Sequence, residues 1–213
     1  MTALRFPRGL YGVTPDWPDT DRLLSAIRLA HAGGMRALQW RRKTGDAAQR
    51  QAQAQAVLDL CRLLGLPLII NDDWQLAAQL DADGVHLGRD DAPAAQVRQA
   101  LGPHKLIGCS CYNQPDLARR QLQASVDYIA FGAVYPSRVK PDAVQATLAD
   151  LRAGRQLTQA LSPRPAVVAI GGITPENAAP LIQAGVDSIA VISAIFDAPD
   201  IQAAAQACSR LFS

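Results

Sequence analysis

Short apolar runs alternate along the chain with longer stretches of helical character, and this alternation is the main signal for parallel α/β architecture. Strands are predicted at Leu10–Val13, Met35–Gln39, Leu68–Asn71, Gly84–Leu87, Leu106–Cys109, Tyr128–Phe131, Ala166–Ile170 and Ser188–Ile192. Helices are predicted at Asp19–His31, Asp46–Leu64, Trp74–Leu80, Pro93–Leu101, Gln114–Ala124, Thr147–Leu161, Pro175–Ala184 and Asp200–Phe212, each following one strand. The pattern amounts to a single (β/α)8 TIM barrel over residues 1–213, near the short end of the lengths that fold allows.

Local punctuation agrees with these elements. Gly33-Gly34 and Gly185 follow predicted helices, where glycine takes the left-handed position past the last turn. Thr174-Pro175-Glu176-Asn177 reads as an N-cap followed by proline at the first helical position. The Gln/Ala-rich run from Gln49 to Ala56 is built of good helix formers and reads as structural.

Composition narrows the function classes. The 213 residues are 49% hydrophobic and 19% charged with a formal net charge of +2, so no electrostatic footprint for nucleic acid or an anionic membrane exists and any anion site must be local. No apolar run approaches the roughly 20 residues that span a bilayer, and the first residues lack the apolar core of a signal peptide, so a cytoplasmic protein is expected. Cys61, Cys109, Cys111 and Cys208 lack zinc-type spacing and are expected to be reduced thiols. The sequence leaves oligomeric state open, with a homo-oligomer possible.

In a β/α barrel the chemistry sits just past the C-terminal ends of the strands, and the polar clusters fall there. Gln39-Trp40-Arg41-Arg42-Lys43 follows the second strand, and continued alternation puts Gln39, Arg41 and Lys43 on one side. An Arg fork with a Lys point charge suits a diphosphate, although a basic strand end alone is more often a solvated one. Asn71-Asp72-Asp73 follows the third strand and Arg89-Asp90-Asp91 the fourth. Carboxylates from neighbouring strand ends suit Mg²⁺, and Asp72 with Asp91 is the expected ligand pair, whereas Asp73 reads equally as a helix cap and Asp90 as a turn residue.

After the fifth strand, Ser110 offers a hydroxyl to a phosphate oxygen, and its neighbours Cys109 and Cys111 have no adjacent base to activate them as nucleophiles. The long segment from Gly132 to Asp142 carries Lys140 between prolines, a second cation for a diphosphate. Gly171-Gly172 after the seventh strand, with Ser193 after the eighth, matches the position where many barrels hold a phosphate.

Together these motifs resemble the bacterial thiamine-phosphate synthases over Tyr11 to Ile195. Those motifs are Gln39-x-Arg41-x-Lys43, Asn71-Asp72-Asp73, Asp83-Gly84-Val85-His86-Leu87-Gly88 with Asp91, Gly108-x-Ser110, Pro136-Ser137-x-x-Lys140, Ile170-Gly171-Gly172-Ile173 and Ile192-Ser193-Ala194-Ile195. The resemblance implies a transferase that condenses 4-amino-2-methyl-5-hydroxymethylpyrimidine diphosphate with 4-methyl-5-(2-hydroxyethyl)thiazole phosphate. It implies that Gln39, Trp40, Arg41, Arg42, Lys43, Asn71, Ser110 and Lys140 bind the pyrimidine diphosphate, with Asp72 and Asp91 on Mg²⁺. Ser137, Arg138, Val139, Gly172, Ile192 and Ser193 would bind the thiazole phosphate, and Arg41, Lys43, Ser110 and Lys140 would act on the departing diphosphate.

Three positions depart from the family pattern: Val139 where threonine is usual, Arg89 where glutamine or glutamate is common, and Cys111-Tyr112 where relatives carry a small hydroxyl residue and histidine. Two other readings share the fold. A thiazole tautomerase relies on a histidine where Tyr112 stands and needs no paired metal carboxylates. A noncatalytic phosphate-binding regulatory barrel would have lost the cations or carboxylates, which are all present.

Overall fold

Alternate side chains within each apolar run meet different surroundings, and that division builds the molecule. The computed structural model describes residues 3–136 and 144–213, so Ser137, Arg138, Val139 and Lys140 lie outside the described residues. Among the described residues, eight parallel strands pair in chain order: β1 (Gly9–Val13), β2 (Ala37–Trp40), β3 (Leu68–Asn71), β4 (Gly84–Leu87), β5 (Leu106–Tyr112), β6 (Tyr128–Gly132), β7 (Ala166–Ile170) and β8 (Ser188–Val191). β8 returns to β1 and closes the barrel.

Outward-pointing Leu38, Leu68, Ile70, Val85, Ile107 and Val167 pack with Leu23, Ile27, Val57 and Leu58 from the helices. Inward-pointing Tyr11, Ile69, Tyr128, Ala130, Val168 and Ala190 form a second, smaller cluster inside the barrel, which Phe6 closes from below. Each fully buried aliphatic side chain contributes about 1.5–3 kcal/mol relative to exposure, so the outer layer carries most of the apolar stabilisation.

The strands alternate with α1 (Thr20–Ala32), α2 (Ala47–Leu64), α3 (Trp74–Leu80), α4 (Ala94–Leu101), α5 (Pro115–Gln123), α6 (Leu148–Thr158) and α7 (Ala179–Gln183), followed after β8 by α8 (Ser193–Phe196) and α9 (Ile201–Arg210). Asp19, Asp46, Asp73, Thr147 and Asp200 cap α1, α2, α3, α6 and α9, each side chain accepting a backbone N–H of the first turn. Among the described residues no helix is long and apolar enough to cross a membrane.

Several boundaries differ from the sequence expectation for identifiable reasons. Met35 precedes β2, its sulfur filling the space beside Gly12. β5 runs on to Tyr112 through a register shift between Ser110 and Tyr112. Thr174-Pro175-Glu176-Asn177 does not begin a helix: Asn177 turns back so that its Oδ1 accepts from Thr174 N at 2.8 Å, and the proline in the first turn of α7 is Pro180. The short α8 was not anticipated, since four residues are too few to show a period.

The barrel floor is tied by a repeated device. Asp83, Asp127 and Asp187, each just before an even-numbered strand, accept the N–H of Leu68, Ile107 and Val167 on the preceding odd-numbered strand at 2.8, 2.7 and 2.9 Å. Two of them also bind arginine. Asp127 receives Arg98 at 2.6 Å, and Asp187 takes both Nη atoms of the buried Arg164 at 2.9 and 2.6 Å. Breaking a buried pair leaves an uncompensated charge. Asp187→Ala is therefore expected to lower the unfolding free energy by about 3–5 kcal/mol, read as a drop in the urea midpoint, and Arg164→Met in the same background should recover part of it.

Candidate active site

The upper ends of the strands gather the polar side chains. Inside the barrel, Gln39 Nε2 donates to the Tyr11 hydroxyl at 2.8 Å, and Tyr11 and Tyr128 share a hydrogen bond of 2.9 Å. Tyr128 lies 3.0 Å from His86 Nδ1, and His86 Nε2 lies 2.9 Å from Ser110 Oγ. These five residues come from β2, β1, β6, β4 and β5, and only Ser110 is half-exposed. Gly108 makes the arrangement possible, because a Cβ there would collide with the Tyr128 ring. Burial pushes both phenols well above their ordinary pKa, so both keep their protons.

Beside this chain lies a charged rim. Lys43 Nζ donates to Asp72 Oδ2 at 2.7 Å, and the Asp72 and Asp91 carboxyls share a hydrogen bond. Burial pushes Asp72 up, but the hydrogen bond and charge of Lys43 prevail and hold it below the usual carboxylate value. Asp91 is raised, first by burial and then by the neighbouring Asp72 charge, although Gly88 N–H donates to it at 2.6 Å. The two carboxyls are therefore shifted in opposite directions. Asp72 sits at φ 63, a left-handed conformation that aspartate tolerates better than most residues and that costs on the order of 1 kcal/mol.

Among the described residues no group of three or more His, Cys, Asp or Glu side chains is assembled to hold a metal. Two adjoining carboxyls still suit Mg²⁺, which normally takes one or two carboxylates and completes its shell with water and substrate phosphate.

The loop after β2 is held by residues that the sequence did not single out. Thr14 Oγ1 accepts Arg41 N–H at 2.8 Å and donates to Arg41 O at 3.3 Å. Asp16 Oδ1 accepts from Thr44 Oγ1 at 2.8 Å and from Lys43 N at 3.3 Å. Gln39 and Lys43 meet different surroundings, because β2 ends at Trp40: Gln39 is buried in the barrel while Lys43 reaches out to Asp72. Trp40 corrects the expected substrate set, since it is buried outside the barrel and its Nε1 donates to Gln53 on α2 at 3.2 Å. Arg42 also turns toward α2, with Nη1 on Gln49 O at 3.5 Å and Nε on Thr44 O at 3.1 Å.

Across the mouth, Gly171 and Gly172 take φ 103 and 62, and a Cβ at either would strike the segment Ala133–Pro136. Tyr135 N donates to Gly171 O at 3.1 Å, Tyr135 Oη to Asn177 O at 2.8 Å, and Asn177 Nδ2 to Gly172 O at 2.9 Å. Ser193 is exposed at the start of α8, with Ile192 before it. Cavities of about 320 Å³ beside Trp17 and Phe196 and about 330 Å³ beside Arg8 and Arg36 share no lining residue with these groups.

A family model described as thiamine monophosphate synthase matches residues 10–195. The chain belongs to the thiamine monophosphate synthase family. It is 57% identical to a thiamine-phosphate synthase of Bordetella bronchiseptica, covering 100% of this chain and 99% of that protein. A thiamine-phosphate synthase of Thiobacillus denitrificans is 54% identical, covering 98% and 96%. Among solved structures, thiamine phosphate pyrophosphorylase from Pyrococcus furiosus superposes with a TM-score of 0.82 at 30% identity, covering 98% of this chain and 96% of that one.

Two departures from the family pattern meet in space. The Arg89 guanidinium lies over the Tyr112 ring, 4.5 Å from its centroid, and Arg89 N–H donates to Tyr112 Oη at 3.1 Å. The third, Val139, lies outside the described residues.

All four cysteines are free and buried. Burial, with the Asp91 charge second, pushes the Cys109 thiol up to about 12, and Cys61 likewise reaches about 12. Thiolate attack at neutral pH is therefore disfavoured. Native protein at pH 8 is expected to resist thiol alkylation, with all four cysteines labelled only in denaturant, as mass spectrometry would read. Because the folded values lie above the ordinary 9.0, the thiol contribution to stability is present below pH 9 and is lost as pH rises from about 9 toward 12.

Proposed function

We propose that the chain condenses 4-amino-2-methyl-5-hydroxymethylpyrimidine diphosphate with 4-methyl-5-(2-hydroxyethyl)thiazole phosphate, releasing thiamine phosphate and diphosphate. The observation that carries this reading is the contact of Asp72 with both Asp91 and Lys43 at the ends of neighbouring strands, with the half-exposed Ser110 hydroxyl on the next strand. A carboxylate pair next to a cation and a hydroxyl donor is suited to a leaving diphosphate. Family membership and near-complete coverage of the relatives support the same assignment.

In the reaction, the bond between the pyrimidine methylene carbon and the bridging diphosphate oxygen breaks, and its electron pair leaves with the diphosphate. The thiazole nitrogen then donates its lone pair to the pyrimidinylmethyl cation. Arg41, Lys43 and Lys140 stabilise the leaving charge, and Asn71 and Ser110 orient the pyrimidine diphosphate. Asp72 and Asp91 would hold Mg²⁺, which when bound neutralises diphosphate oxygens. Gly172, Ile192 and Ser193, with Ser137, Arg138 and Val139, hold the thiazole phosphate so that its nitrogen stays close to the reacting carbon. Glycines at positive φ let backbone N–H groups approach a phosphate closely.

A tautomerase reading finds less support. Its histidine position is Tyr112, whose hydroxyl and ring are occupied by Arg89.

Purified protein given both substrates and Mg²⁺ is expected to form thiamine phosphate, measured by chromatography. Thiazole isomerisation without condensation would overturn the proposal. Excess chelator should stop turnover, and Asp72→Ala should reduce it by about 100-fold or more while leaving the thermal midpoint close to wild type. Full turnover in chelator would remove Mg²⁺ from the mechanism. Lys140→Ala should slow single-turnover diphosphate release more than it weakens thiazole phosphate binding, as rapid-quench and binding measurements would separate.

A further inference from the structure

A hydrogen-bonded chain inside a barrel has a direction, because each hydroxyl owns only one hydrogen. Gln39 Nε2 can only donate; one hydrogen goes to Tyr11, and the Gln39 amide also bonds to Tyr128. Tyr11, with its oxygen already accepting, has its hydrogen left for Tyr128 at 2.9 Å. Tyr128 in turn accepts from Tyr11 and has its hydrogen left for His86 Nδ1 at 3.0 Å. A His86 whose Nδ1 accepts carries its proton on Nε2, facing Ser110 Oγ at 2.9 Å.

We infer that Gln39, Tyr11, Tyr128 and His86 are positioning residues forming a one-way chain that holds His86 as the Nε2–H tautomer and turns the Ser110 hydroxyl hydrogen toward the barrel mouth. Ser110 is the end of the chain. With its lone pair engaged by His86, its own hydrogen is available to an anionic oxygen of a substrate. The opposite direction would make Ser110 donate to His86, leaving only lone pairs at the mouth, which repel an anion.

The surroundings favour one direction. Tyr11, Tyr128, Gln39 and His86 are buried, so water does not compete for these hydrogens. The Tyr128 and His86 rings stack with centroids 5.6 Å apart and planes 18° apart, and Phe6 lies against Tyr128 from below, limiting rotation that would break the chain. The partner residues stand 28, 117, 42 and 24 positions apart in sequence, so only the closed barrel brings them together. That the anion is the pyrimidine diphosphate rests on the function proposed above; the direction of the chain does not.

The test is ¹⁵N NMR of the full-length chain with labelled histidine, in the absence of substrates. His86 is identified by the signal lost in His86→Asn, the other histidines being His31 and His104. The expected result is a protonated, pyrrole-type Nε2 and an unprotonated, pyridine-type Nδ1. A protonated Nδ1 with bare Nε2 overturns the inference. In Tyr128→Phe the donor to Nδ1 is gone, so the tautomers are expected to mix and kcat to fall about tenfold with KM for the thiazole phosphate unchanged. A Tyr128→Phe protein that keeps a pure Nε2–H signal and full kcat would also overturn it. Should that variant fail to fold, Tyr11→Phe removes the hydrogen given to Tyr128 and is expected to mix the tautomers, whereas an unchanged signal there counts against the chain. A wild-type protein showing the Nε2–H tautomer but no condensation would refute the proposed reaction and leave the chain standing.

Discussion

Polar groups placed inside a barrel must find partners there, and the bond between the Tyr11 and Tyr128 hydroxyls meets that demand at the centre of this one. An unpaired buried hydroxyl costs about 1–3 kcal/mol, so the two phenols are tolerated only as a linked pair. Much else follows from housing them. Gly108 lacks a side chain to leave room for the Tyr128 ring, Phe6 seals the floor beneath both, and Gln39 and His86 continue the pairing outward. The barrel interior is thereby split into an apolar lower part and a hydrogen-bonded upper part that opens at Ser110.

The acidic residues are sorted by height along the barrel. Asp83, Asp127 and Asp187 tie strands at the floor, while Asp19, Asp46, Asp73 and Asp200 cap helices. Asp72 and Asp91 are different, because they contact each other and Lys43 instead of relieving backbone N–H groups alone. Carboxylates bound to backbone N–H groups at the floor hold strands together, whereas those at the rim bond to each other and to a lysine.

The eight-fold alternation was legible because burial of each strand on both faces produces continuous apolar runs, and Leu68–Asn71, Gly84–Leu87 and Ala166–Ile170 coincide with the observed strands. Asp72, Asp91 and Lys43 were expected near one another because strand ends are where polar residues gather, and the structure brings these three into contact, while Ser110 meets His86. Thr14 and Asp16 were not, since a threonine or aspartate near a strand end looks like a turn until its partner 27 residues on is known. Tyr11 and Tyr128 read as core aromatics, and nothing local in sequence distinguishes a core phenol from one that orients a histidine. Trp40 entered the substrate set only through the family resemblance, while strand alternation, which separates it from Gln39, sends it outward to Gln53.

The segment between β6 and α6 is fastened at its base from both sides. Ala133 N–H donates to Val144 O at 3.0 Å, Ala146 N–H donates to Ala133 O at 2.9 Å, and Tyr135 is laced to Gly171 and Asn177. These bonds join Ala133 to Val144 and Ala146 and anchor Tyr135 beside the glycines that follow β7, so the described ends of the segment form a clasp on the barrel wall. Because the bonds between Ala133, Val144 and Ala146 run through main-chain groups alone, that part of the clasp is held by backbone geometry and does not depend on which side chains stand at those three positions.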